Sequence, residues 1–338
     1  MTLGILLALP GFGCSHSESF GTGVDRATVP FSVTPPVRLT YNTADNYWPS
    51  WTEDGQGIIY SYSYPQPDAH ADDRCVGLLP PSGGTRLWQM CDERREHADS
   101  ADSFTGVAIG TDGRLLYLEL STKRGSGGLS GVNQPPQTRV LWLADTAFPF
   151  QRRKLLDMSF GLSLNGIFFN ALGDTRWVGS TSFVALAARQ GTDINPWDST
   201  LTGMAVVRGE ITTAGATLSI VPGTEGARMY SFAENGASFI IYRSGTSIER
   251  VPVAGGTPGT VATLPGVLPT GLTCQGSTCL VTTGRPGNPQ SIFRVVLATG
   301  EATPFAIFIN DSPRLPPTGA TIVGRNGRTL YLFSGLLP

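Results

Sequence analysis

The chain has 338 residues, of which 15% are charged, and a formal net charge of −2. That balance exerts no electrostatic pull on nucleic acid and sets that partner class aside. Its 42 glycines and 25 prolines break helices and punctuate turns, so many short strands are expected.

The first element in the chain is MTLGILLALPGFGCSHSES. Its apolar run, residues 3–9, falls well short of the ~20 residues that span a bilayer. It fits the apolar core of a secretory signal. With small residues and Cys14 behind it, the segment resembles a bacterial lipoprotein signal, in which Cys14 becomes the lipidated first residue. An ordinary cleaved signal with an incidental cysteine is the other reading. The expected organisation is a signal peptide at 1–13, a flexible tether at 14–26 and one domain at 27–338.

Two apolar segments, 27–33 and 36–42, come next and have no hairpin of their own. The stretch WPSWTEDGQGIIYSYS follows, a strand, a tight turn at Asp54-Gly55 and an alternating strand. The same plan returns with turns at Asp112-Gly113, Ser180-Thr181-Ser182, Asn235-Gly236, Gly276-Ser277 and Asn326-Gly327. Asn-Gly and Asp-Gly between alternating runs are strong hairpin signals, because both central residues must take positive φ. The turns lie about 40 to 70 residues apart, near the period of propeller blades.

After each of the first five hairpins a second one follows, such as RCVGLL with TRLWQM after the first and SIFRVVLATG with TPFAIFI after the fifth. The sixth unit, 318–335, has two strands only, and the spare pair at 27–33 and 36–42 is expected to complete it. Closing the ring this way removes an open edge. The expected fold is therefore all-β: a six-bladed β-propeller of four-stranded blades, the last closed by N-terminal strands.

The cysteines fit that plan. In TCQGSTC a two-residue loop at Gly276-Ser277 sets Cys274 opposite Cys279, and a glycine in first place suits a type II′ turn. A hairpin centred on Gly83 sets Cys75 opposite Cys91. Facing non-hydrogen-bonded positions bring Cα atoms to about 4.5 Å, within disulfide range. Two bridges plus a lipidated Cys14 account for all five cysteines, and they place the protein in an oxidising, exported compartment.

The first hairpin carries a more specific signal. Pro49, Trp51, Asp54 and Gly55 match the blade motif Pro-x-Trp-Ser-Pro-Asp-Gly of TolB-like propellers, with Thr52 and Glu53 in place of Ser-Pro. The other units keep only the turn and the alternation. Over 42–338 the chain resembles that family, which implies a six-bladed propeller, commonly periplasmic, often lipid-anchored or partner-binding. Its members range from scaffolds to lyases and peptidase-associated domains, so fold does not fix function.

Strand alternation sorts the connections onto two faces. The tight turns, Asp54-Gly55, Asp112-Gly113 and Asn326-Gly327 among them, are expected on one. The longer connections, 64–73, 92–103, 122–137, 157–174, 190–202 and 285–290, are expected on the other, where binding usually resides. Candidate binding residues there are His70, in an acidic loop that could hold a divalent cation, and Arg94 and His97, in a charge run. Asp193, Trp197 and Asp198 join them, with Trp197 able to stack on a sugar or a peptide side chain. Each of these loops has an alternative reading as a solvated or self-packed surface.

The only histidines are His16, His70 and His97, and no nucleophile-elbow motif occurs. The expectation is an exported, monomeric, lipid-anchored envelope propeller without cofactor or catalysis. It binds a protein, peptide or glycan through its long-loop face. The alternative is a metal-assisted lyase or hydrolase on the same face, using His70 and His97.

Overall fold

The computed structural model describes residues 36–42, 44–64, 73–91, 100–123, 138–189, 205–264, 268–284, 291–305, 311–316 and 321–334. They form six four-stranded antiparallel sheets and one small hairpin. Blade one is β2 (Asp45–Trp51), β3 (Ile58–Tyr64), β4 (Asp73–Leu79) and β5 (Trp88–Cys91). Blade two is β6 (Ser100–Ile109), β7 (Arg114–Lys123), β8 (Thr138–Asp145) and β9 (Phe148–Asp157). The small hairpin, β10 (Leu162–Leu164) and β11 (Ile167–Phe169), precedes blade three: β12 (Ala171–Trp177), β13 (Ser182–Ala188), β14 (Ala205–Thr212) and β15 (Gly215–Ile220).

Blade four is β16 (Met229–Ala233), β17 (Ser238–Tyr242), β18 (Ser247–Pro252) and β19 (Gly259–Thr263). Blade five is β20 (Pro269–Gln275), β21 (Thr278–Thr283), β22 (Ser291–Val296) and β23 (Glu301–Phe305). Blade six joins β24 (Asp311–Arg314), β25 (Thr321–Asn326) and β26 (Thr329–Ser334) to β1 (Val37–Arg38) from the N-terminal side.

The second strand of each blade explains the packing. In β13, Phe183 to Ala187 are all buried, a continuous apolar run instead of an alternation. Both faces of a blade pack on neighbours, so both need apolar side chains. Phe183, Ala185 and Ala187 join the cluster shared with blade two, and Val184 and Leu186 the cluster shared with blade four. Analogous clusters sit between blades four and five, five and six, six and one, and one and two. Every adjacent pair is thus sealed, and the ring is closed.

Arginines on third strands add polar ties. Arg208 in β14 donates to the Val253 carbonyl at 3.0 Å, and Arg250 in β18 to the Leu297 carbonyl at 3.1 Å. Each reaches the outer turn of the next blade. The cysteine register is as the sequence implies: Cys75 pairs with Cys91 and Cys274 with Cys279 across their hairpins, and both pairs are disulfide-bonded.

The sixth blade differs from the sequence reading in its membership. Its innermost strand is β24, and one N-terminal strand, β1, pairs outside β26. Residues 27–33 lie outside the described residues. β24 is short and holds Pro313, which argues against a central strand. An innermost strand, however, has one edge facing the axis, where no partner amide is needed. The consequence is that Asn326-Gly327 joins the second and third strands and emerges on the face opposite Asp54-Gly55. There Arg328 pairs with Asp45 at the start of β2, at 2.9 Å. The expected long connection at 157–174 is largely the β10–β11 hairpin.

Five of the six innermost strands carry a one-residue bulge against their partners, β16 being regular. Prolines occupy or adjoin three of these bulges: Pro49, Pro269 and Pro313. Bulges sharpen the local twist and re-aim side chains. The strand ends that follow these five bulges face the axis.

Candidate functional site

The ends of the six innermost strands enclose a funnel of about 420 Å³ on the tight-turn face. That volume lies in the range of small-molecule and peptide-anchor pockets. Its wall is apolar where Trp51, Trp177 and Phe232 line it, and charged at Glu53, Arg176 and Arg314.

The tryptophans are held by their neighbours. Trp51 closes β2 and donates its indole N–H to the Arg314 carbonyl of blade six at 3.1 Å. Trp177 stands at the same place in blade three and donates to the Ala108 carbonyl of blade two at 3.3 Å. Arg114 lies over the Trp177 ring, 4.8 Å from its centroid.

Glu53 is positioned by its turn. The Thr52 hydroxyl donates to the Asp54 carboxylate at 2.6 Å and accepts the Gly57 N–H at 2.8 Å, while the Gln56 N–H meets the same carboxylate at 3.0 Å. Gly55 takes φ 69°, the left-handed conformation that glycine adopts without a Cβ penalty. The departure from Ser-Pro noted in the sequence is therefore functional in geometry: Thr52 ties the turn and Glu53 faces the funnel. Burial pushes the Glu53 carboxyl up from the ordinary value, against the opposing pull of the Arg176 charge and the Trp177 N–H.

A polar network links opposite blades at the funnel floor. Asp174, at the β12 bulge, takes φ 44°. Its carbonyl accepts the Tyr230 hydroxyl from blade four. Its carboxylate lies 3.3 Å from an Arg314 nitrogen, across the axis from blade six to blade three. Tyr230 is 3% exposed. Burial raises its phenol far above the usual range; the Asp174 and Glu53 charges push the same way, and Arg176 and Arg314 oppose them.

The remaining donors are less committed. Arg314 reaches the Leu272 carbonyl only at 3.4 Å. Arg176, half-buried in the wall, makes no hydrogen bond or ion pair among the described residues. Thr175 is 6% exposed, and its hydroxyl is buried against Gly106 of blade two with no hydrogen-bond partner among the described residues. The donors of Arg176 and Arg314 in the wall favour an acceptor-rich or anionic guest.

His70, Arg94, His97, Asp193, Trp197 and Asp198 all lie outside the described residues, as does Cys14. No group of three His, Cys, Asp or Glu side chains among the described residues could hold a metal ion. Sequence reasoning passed over the funnel residues. Arg176 and Arg314 each share a short strand with an acid, Asp174 and Asp311, and read as solvent-facing charges. Only the motif around Trp51 hinted at the site.

No family model matches the chain, and no curated relative matches it either. Solved structures do. TolB from Acinetobacter baumannii is similar over 84% of this chain at 12% identity and a TM-score of 0.51. The chain spans 64% of the length of that protein. A gluconolactonase from Xanthomonas campestris, XC5397, is similar over 90% of this chain and 96% of its own, at 14% identity and a TM-score of 0.50. At such identities the likeness is one of fold: the TolB-like propeller implied by the first hairpin is the architecture of this chain.

Proposed function

We propose that the protein is an exported binding scaffold that seats a protein or peptide partner in the axial funnel of its tight-turn face, without catalysing a reaction there. One observation carries this reading: the funnel is preformed. Its tryptophans are locked to neighbouring blades at 3.1 and 3.3 Å, and its floor is cross-linked by Arg314 and Asp174 at 3.3 Å. Rigid aromatic and arginine anchors at the centre of a concave surface are the groups that dominate interfaces. The two disulfides fit an oxidising compartment. A lipid on Cys14 would hold the propeller at the cell envelope as a monomer. The opposite rim, where the loops carrying His70, Arg94, His97, Asp193, Trp197 and Asp198 are expected from strand alternation, is the second surface of this proposal and the one a glycan or a metal-assisted reaction would use.

The test is capture of a partner from solubilised envelopes, its identification by mass spectrometry, and rebinding of the purified partner to two variants. Gln275→Trp narrows the funnel from its turn; the double change Trp197→Ala with His97→Ala strips the opposite rim. Loss of rebinding in the funnel variant alone, with an unmoved thermal midpoint, supports the funnel. Loss in the rim variant alone moves the seat to the long-loop face. Stoichiometric zinc, manganese or calcium in the purified protein, with hydrolytic turnover lost in the rim variant, would replace the scaffold reading with the enzymatic one.

A further inference from the structure

We propose that the funnel recognises a carboxylate of its peptide partner, with Arg176 and Arg314 as the receiving groups and Glu53 as the internal carboxylate the ligand competes with. This deepens, and rests on, the reading of the funnel as the partner's seat.

Arg176 lines the funnel and makes no hydrogen bond or ion pair among the described residues, although five N–H groups in a rigid fork suit a carboxylate. Arg314 meets Asp174 at 3.3 Å and the Leu272 carbonyl at 3.4 Å and keeps further N–H donors beside these among the described residues. Arg176 is half-buried and has no buried, unsatisfied nitrogen, so solvent supplies its acceptors until a guest does. Glu53 acts only as a neighbouring charge, since no ion pair joins it to Arg176 among the described residues. The site is therefore a cation with an internal carboxylate close by but not in contact.

The charge of the guest follows from the acids present. Glu53 and Asp174 both flank the floor. They repel a dianionic phosphate more than a singly charged carboxylate. A peptide fits the wall through its side chains, which Trp51, Trp177 and Phe232 can pack. The inner-edge carbonyls of Ala108, Asp174 and Arg314 are already taken by Trp177, Tyr230 and Trp51, and the floor reads the acidic group. The carboxylate of an Asp or Glu side chain and that of a chain terminus offer the same two oxygens, and the assay separates them.

The experiment uses the intact chain and follows the indole N–H resonances of Trp51 and Trp177, which line the funnel. Four probes are titrated: tetra-alanine with a free carboxyl terminus, its C-terminal amide, acetyl-Ala-Glu-Ala-amide and acetyl-Ala-Gln-Ala-amide. Acetate and inorganic phosphate serve as competitors. The expected result is that the acid form of one pair moves both indoles and its uncharged counterpart does not. The responding pair identifies a terminal or a side-chain carboxylate. Arg176→Gln should weaken that binding about tenfold or more, the loss expected for a charge-assisted hydrogen bond. Glu53→Gln should tighten it several-fold, a sign that a merely structural role would not produce.

Equal binding of acid and amide peptides would overturn the proposal, as would an unaffected Arg176→Gln or a stronger competition by phosphate than by acetate. Those results leave the funnel as the seat if Gln275→Trp still abolishes partner rebinding. If no probe moves the indoles and Gln275→Trp binds its partner normally, the seat itself is wrong.

Discussion

Replacing Tyr230 by phenylalanine isolates one hydrogen bond at the funnel floor. The ring packs edge-on against Phe239, with centroids 5.9 Å apart, and against Phe232 at 6.2 Å; phenylalanine keeps both contacts. What disappears is the hydroxyl that donates to the Asp174 carbonyl and lies 3.4 Å from the Val184 carbonyl. Tyr230 is 3% exposed, so no bulk water replaces the donor and the acceptor is left unsatisfied. That costs about 1–3 kcal/mol. Tyr230→Ala should lose about 3–5 kcal/mol more, the range for truncating a buried aromatic. Urea unfolding measures both, and the midpoint should fall with an unchanged slope.

The bond ends on the main chain of Asp174, so Asp174→Gly should leave it intact. Glycine also relieves the left-handed strain at φ 44°, while the loss of the Arg314 contact offsets that gain. The single change should lie near zero and add to Tyr230→Phe without coupling. A Tyr230→Phe midpoint within about 0.5 kcal/mol of the parent, or a strong coupling to Asp174→Gly, would refute the floor as described.

The disulfides should rank by the loop they close: removing Cys75–Cys91, separated by 16 residues, should cost about 3 kcal/mol, and removing Cys274–Cys279, separated by 5, about 2 kcal/mol. Thiol titration of the oxidised protein should find none of these four cysteines free. Glu53→Gln should flatten part of the stability profile. A carboxyl raised by burial costs the folded state its ionisation as pH climbs from the ordinary 4.5 through the raised value. The variant's advantage should thus be present at pH 8 and vanish below pH 4; the opposite order of melting points would contradict the burial of Glu53. Arg208→Ala removes a 3.0 Å tie between blades three and four and should lower stability by about 1 kcal/mol, with no change in far-ultraviolet circular dichroism.

Much of the architecture is local and therefore legible in the sequence. Asp54-Gly55, Asp112-Gly113 and Gly276-Ser277 each announce a hairpin because a left-handed position in the turn takes a glycine, at Gly55, Gly113 and Gly276; Asp54 and Asp112 do not share the positive φ expected of both central residues. Once a turn is placed, register follows by counting, which is how Cys75 meets Cys91 and Cys274 meets Cys279. The position of a hairpin within its blade is not local. Asn326-Gly327 looks the same whether it joins the first two strands or the middle two, and only ring closure, with β24 inside and β1 outside, decides between them. Pro313 hid β24 because a proline is unwelcome in a strand paired on both sides, whereas the axis leaves one edge free. The funnel is less legible still. Glu53 comes from the first turn of blade one and Arg176 and Arg314 from strands of blades three and six, and each reads as a solvent-facing charge in its own segment. Their meeting depends on bulges that rotate the strand ends and on six interfaces that close the circle. The sequence determined the hairpins and the bridges because nearest neighbours set them; the tertiary structure decided the site, because only a closed ring brings opposite blades within 3.3 Å across the axis.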